Sequence, residues 1–171
     1  PPTQVFAQLL TGFELAHRDP RVVGFNLVQA EDGKLSMRDY SLQMHMIGFL
    51  HQLYPKVKIS LHAGELVPGL VPRSGLRFHI REAIEVAQAN RIGHGVDIRY
   101  EDHALQLLEE MAKKQILVEI NLSSNAAILK VKGQQHPILL YRQHQVPVAL
   151  STDDEGVLRT NLTEQFKIAV T

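Results

Sequence analysis

Short apolar runs alternate with amphipathic stretches along the chain. Val22–Val28 (VVGFNLV) is nearly continuous in apolar side chains and rich in β-branched ones, the pattern of a strand buried on both faces of a parallel sheet. Val57–Leu61, Arg91–Gly93, Ile116–Leu122 and Val146–Leu150 repeat it. The segments between them have helical spacing: Met37–Leu53, Arg77–Ala89 with Ile80, Ile84 and Ala87 on one stripe, Glu101–Lys114 with Leu105, Leu108 and Met111, and Pro137–His144. A leading helix near Thr3–His17 and a trailing one from Thr160 flank the series. Pro147 stands at a strand entry and Pro137 at a helix start, where a missing amide hydrogen matters little.

The strand starts recur at a mean spacing of roughly 31 residues, which matches roughly 250 residues spread over the eight βα units of a TIM barrel. A doubly wound open sheet also alternates, but it usually follows its first strand with a Gly-rich phosphate turn, and Leu27-Val28-Gln29-Ala30-Glu31 is not one. The pattern therefore predicts an α/β fold, the C-terminal part of a TIM (β/α)8 barrel comprising about strands 4 to 8. Residues 1–171 are read as one portion of a single barrel domain, with the N-terminal units lying upstream; the Pro1-Pro2 start, without an initiating Met or signal-like pattern, agrees with that. No linker, low-complexity tract or charge block divides the chain.

Composition narrows the partners. The 171 residues are 44% hydrophobic, with 18 Lys and Arg against 18 Asp and Glu, and no basic cluster that would favour nucleic acid or an anionic membrane. Arg73, Arg77, Arg81 and Arg91 are too scattered to claim a phosphate site. No apolar run approaches the ~18 residues of a membrane span. Without cysteine, any metal must rest on histidine and carboxylate.

The candidate chemistry lies at the strand ends. His62-Ala63-Gly64-Glu65, Gly93-His94-Gly95, Asn121-Leu122-Ser123-Ser124-Asn125 and Ser151-Thr152-Asp153-Asp154 each follow one of the last four runs. Singly they read as a hydrogen-bonded core histidine, a tight turn, a polar N-cap and a capping loop. Jointly they share the C-terminal edge, the active-site face of a barrel. Two His, one Glu and two Asp suit a divalent ion such as Zn²⁺ and hydrolytic chemistry. Neighbours at a strand end point in different directions, so Asp153 and Asp154 have different roles. Val22–Val28 offers no Lys of the kind that bridges two ions, which favours one metal.

These residues, HAGE at His62–Glu65, RIGHGVD at Arg91–Asp97, Ser124-Asn125, His136-Pro137 and STDD at Ser151–Asp154, resemble the adenosine deaminase family in order and spacing from about Val22 to Phe166. The resemblance implies zinc-dependent hydrolytic deamination of adenosine or a close purine analogue, giving the inosine-type product and ammonia, with one Zn²⁺ per complete site. It implies His62 and Asp153 as metal ligands and Glu65 as the acid that protonates the ring nitrogen beside the reacting carbon. His94 would orient and help deprotonate the attacking water. Substrate contacts would come from Asp154, at the five-membered ring, and from Gly64 and Gln29.

The family's first strand supplies a His-x-His pair, and none of the nine His here lie two apart, so that strand is expected upstream. Asn26-Leu27-Val28-Gln29 stands where many members have Asp-Leu-Ala-Gly, and Glu155 where proline often follows the Asp pair. The implied partner is a small-molecule purine nucleoside, with no nucleic acid and no membrane. Unpaired sheet edges call for the missing N-terminal half-barrel or for self-association. The 171-residue chain alone is expected to be inactive. Alternatives are an adenine or modified-adenosine deaminase, and a deaminase-like module retained for binding or assembly.

Overall fold

In the computed structural model, which describes residues 1–170, four of the five apolar runs become strands. These are β1 (Ser60–Ala63), β2 (Arg91–His94), β3 (Leu117–Ile120) and β4 (Val148–Leu150). They pair in sequence order, all parallel, with Leu61 opposite Ile92, Ile92 opposite Val118 and Val118 opposite Val148. Leu61, Ile92, Val118 and Ile120 are fully buried against Ile47, Ile80, Leu108 and Met111 of the flanking helices. The fold is α/β, part of a TIM barrel.

Val22–Val28 departs from expectation. It joins the sheet through a single parallel bridge, Phe25 to Ile59, closed by the Phe25 amide on the Lys58 carbonyl (2.8 Å) and the Ser60 amide on the Phe25 carbonyl (2.9 Å). Val23 and Val28 are 83% and 72% exposed, so the run lacks the two-sided burial its composition suits. Among the described residues nothing pairs with its far side, and only one residue is pinned.

The helices are α1 (Pro2–Arg18), α2 (Lys34–Leu53), α3 (His79–Glu85), α4 (Ala104–Lys114), α5 (Leu122–Ile128), α6 (Ile138–Gln143), α7 (Glu155–Leu158) and α8 (Leu162–Val170). In α4 the buried face is Leu107, Leu108 and Met111, while Leu105, expected inside, is 62% exposed. The α5 and α7 helices start immediately beyond β3 and near the end of β4, where the sequence suggested only polar loops. Three turns from helix to strand use a left-handed glutamine where glycine is commonest: Gln88, Gln115 and Gln145, at φ of 59°, 56° and 59°. After the last two, Ile116 donates to Met111 and Val146 to Tyr141, both at 2.9 Å, closing the helix ends. None of the described helices is long and apolar enough to cross a membrane.

Candidate active site

His62 projects from the end of β1, and the chain then turns sharply at Gly64, whose φ is +77°. A Cβ there would meet Asp97 Oδ1 at 2.5 Å and Ile80 Cδ1 at 2.8 Å, so only glycine fits. The turn is clamped from both sides. Glu31 accepts the amides of Gly64 (2.9 Å) and Glu65 (2.7 Å), and the Gly64 carbonyl accepts from Val96 (2.8 Å) and Asp97 (3.2 Å). Glu31 is itself held by His79 Nδ1 at 2.6 Å, and His79 stacks on Tyr40 with ring centroids 3.7 Å apart. Gly64 is therefore buried with its amide and carbonyl both committed, and has no backbone donor left for a substrate.

β2 ends in His94, at φ +73°, followed by Gly95, whose carbonyl accepts from Tyr141 Oη (2.6 Å). His94 is buried; its Nε2 lies 3.9 Å from Asp153 Oδ2 and its Nδ1 3.5 Å from Glu65 Oε1. The rings of His62 and His94 are 5.2 Å apart. Burial holds the His94 pKa down to about 4, against the pull of Asp153. Burial also raises the Glu65 carboxyl to about 7, helped by the negative charges of Asp153, Glu31, Asp32 and Asp154. A carboxyl group so placed is divided between its acid and carboxylate forms near neutrality, so the acid form is available to donate a proton.

The third strand hands over to α5, which brings Ser124 and Asn125 to the same edge. Ser124 Oγ donates to Asp153 Oδ2 at 2.6 Å, while Asn125 stands between His94 Nδ1 (3.0 Å) and His136 Nε2 (3.0 Å). Asp153 sits in the left-handed region at φ +56°, a conformation costly for a non-glycine residue and held here by its surroundings. Asp154 follows as the residue capping α7.

A cleft of about 300 Å³ joins these parts; Gln29, His62, Glu65, Asp153 and Asp154 line it, with Leu70, Ile128 and Leu129 as apolar walls. Gln29, His62, Glu65, Asp153 and Asp154 thus face one space, while Gly64, His94, Asn121, Ser124 and Asn125 are buried beside it. The Gln29 side chain donates to Gln43 of α2 at 3.0 Å, tying its loop to that helix. His62, His94 and Asp153 each offer a ligand atom within 4.8 Å of the others, a spacing that fits one divalent ion bound by nitrogen and oxygen. Glu31, His79 and His136 were not singled out for the site from the sequence. The signal for Glu31 was its position just beyond the first apolar run, the same edge register as the other motifs.

The adenosine deaminase family model matches residues 4–171. The chain is similar to an adenosine deaminase of Clostridium perfringens, 36% identical over 111 residues, covering 64% of this chain and 30% of that protein. An adenine deaminase of Sinorhizobium medicae is 30% identical over 164 residues, covering 92% of this chain and 44% of the relative. Among solved structures, an N6-methyl-AMP deaminase from Arabidopsis superposes with a TM-score of 0.71 at 24% identity, over 99% of this chain and 44% of its own. The adenine deaminase of Arthrobacter aurescens gives 0.69 at 22%, over 95% and 45%. The chain spans less than half the length of each of these relatives.

Proposed function

Because the chain belongs to the adenosine deaminase family, we propose that the complete protein is a zinc-dependent hydrolase that removes the amino group of adenosine or a close purine analogue. The observation that carries this is the meeting of an imidazole and carboxylate cluster of metal-binding spacing with a carboxyl group whose pKa is raised to about 7, in one cleft. His62 and Asp153 would hold Zn²⁺ together with ligands from the remainder of the barrel. The chemistry that ion supplies when bound is a water made nucleophilic near neutral pH.

The chain's own residues do the rest. Glu65 hands a proton to the ring nitrogen beside the reacting carbon, which makes that carbon electrophilic. His94 orients the attacking water from behind the site. Ser124 fixes the Asp153 carboxylate by its 2.6 Å hydrogen bond. Asp154 and Gln29, at the cleft wall, contact the purine, with Leu129 a buried apolar neighbour. Residues 1–171 form the C-terminal portion of a single barrel domain, whose N-terminal units cover side chains such as Val23 and Val157, 83% and 80% exposed here.

A relative 30% identical is named adenine deaminase and a structural neighbour at 24% identity N6-methyl-AMP deaminase, so the test offers the full-length protein adenosine, adenine, AMP and N6-methyl-AMP with zinc measured in parallel. Ammonia release is expected from at least one of them. Glu65→Gln should keep its zinc and lose turnover by about 10²–10⁴. Zinc binding without turnover of any purine would favour the binding-module reading, and full activity of Glu65→Gln would overturn the assigned acid.

A further inference from the structure

His136-Pro137 belongs to none of the strand-end motifs, yet His136 is buried and joined to His94 through Asn125. The proton positions along this chain of contacts follow from one group whose polarity is fixed. The Ile138 backbone amide can only donate, and it points at His136 Nδ1 from 3.2 Å. Nδ1 of His136 is therefore the bare nitrogen of the ring. Its proton sits on Nε2, 3.0 Å from the Asn125 side chain. A donor there requires the amide oxygen of Asn125 as acceptor, so the Asn125 NH2 group faces His94. It can only donate in turn, to His94 Nδ1 at 3.0 Å, and the Asn121 NH2 group points to the same nitrogen at 3.5 Å. A neutral imidazole that accepts at Nδ1 carries its hydrogen on Nε2. That nitrogen faces Asp153 and the metal cluster.

We propose that Asn125 and His136 are positioning residues that lock His94 as its Nε2–H tautomer, so that His94 acts as a hydrogen-bond donor into the site and not as a base or a metal ligand. The inference rests on the deaminase reading for its catalytic meaning, but the tautomer itself is a property of the chain. With Nε2 protonated there is no lone pair to take a proton from water or to bind an ion, which leaves His62 and Asp153 as this chain's ligands in the cluster. The lone pair on Nδ1 has a second consequence. Glu65 Oε1 lies 3.5 Å from it, so a carboxylate would face a lone pair while the acid form meets an acceptor.

The test is ¹⁵N NMR of the histidine side chains in the full-length protein, metal-free and then titrated with Zn²⁺, a readout that does not depend on turnover. His94 is expected to show a protonated Nε2 and an unprotonated Nδ1 in both states. His136→Gln, whose amide offers the same donor and acceptor pair, should preserve that pattern. Asn125→Asp presents an acceptor to both imidazoles, so His94 should move its proton to Nδ1. Where purine turnover is established, Asn125→Asp should lower kcat by about 10²–10⁴ with a much smaller change in KM, as a wrong tautomer at an aligned histidine does. A wild-type His94 protonated at Nδ1, or one that coordinates added zinc through Nε2, overturns the proposal. So does an Asn125→Asp protein that folds and retains the Nε2 proton. Should that variant fail to fold, the wild-type and His136→Gln spectra still decide it. A protein inactive on every purine but with Nε2 protonated refutes the deaminase reading and leaves the tautomer lock standing.

Discussion

Gly64→Ala isolates how tightly the turn after His62 is built. Two costs add. The left-handed backbone at φ +77° disfavours any residue with a Cβ by about 1–2 kcal/mol. The new methyl would also lie 2.5 Å from a buried Asp97 oxygen and 2.8 Å from Ile80 Cδ1, and overpacking of that kind costs about 1–3 kcal/mol. The expected loss is about 2–5 kcal/mol. Gly133→Ala is the control: its φ is +55°, but nothing lies within 4 Å of the added Cβ, so only the backbone cost of about 1–2 kcal/mol applies. Urea titrations of both variants, compared at unchanged m-value, separate the packing term from the backbone term. In the folded Gly64→Ala protein the turn has to shift, and Glu65 moves with it; if Glu65 is the proposed acid, a displacement near 1 Å costs on the order of 10²-fold in rate. Equal stability losses in the two variants, with full deamination by Gly64→Ala, would refute the reasoning.

Three further outcomes are expected. His62→Ala should lose zinc and activity together, read by elemental analysis and ammonia release, because the proposed nitrogen ligand is gone. Burial holds the His136 pKa down to about 4 from an ordinary 6.5, so the unfolded chain takes up its proton first and the stability present above pH 6.5 is lost as pH falls toward 4. His136→Gln lacks that dependence, and its stability relative to wild type should improve by about 3 kcal/mol across the window, measured by denaturation at pH 7 and pH 4. Gln115→Gly should raise the denaturation midpoint, gaining about 0.5–1 kcal/mol as relief of a left-handed residue outweighs the freer unfolded chain.

The candidate site was legible because a parallel sheet brings strand ends to one edge whatever the loops between them do. His62, Glu65, His94 and Asp153 could be placed there by counting from the apolar runs alone. Glu31 and His79 were harder, since their role depends on hydrogen bonds across 33 and 48 residues, to the Gly64 amide and to each other, that no local pattern encodes. Leu105 was placed inside because several stripes fit an amphipathic helix about equally well, and packing against the sheet chose Leu107. Val22–Val28 has the composition of a central strand, but a strand also requires a partner on each side, and composition says nothing of which partners are at hand.

The three left-handed glutamines lie at the opposite end of the sheet from the cleft, where helices return to strands. Each βα unit thus has one end that governs folding and another that governs chemistry, some four residues of strand apart. Change can accumulate at either end with little cost to the other. Residues lining the cleft, Gln29 among them, can be exchanged while the returns at Gln88, Gln115 and Gln145 keep the scaffold unaltered. The same separation offers an engineer two independent sets of positions, one for robustness and one for substrate preference.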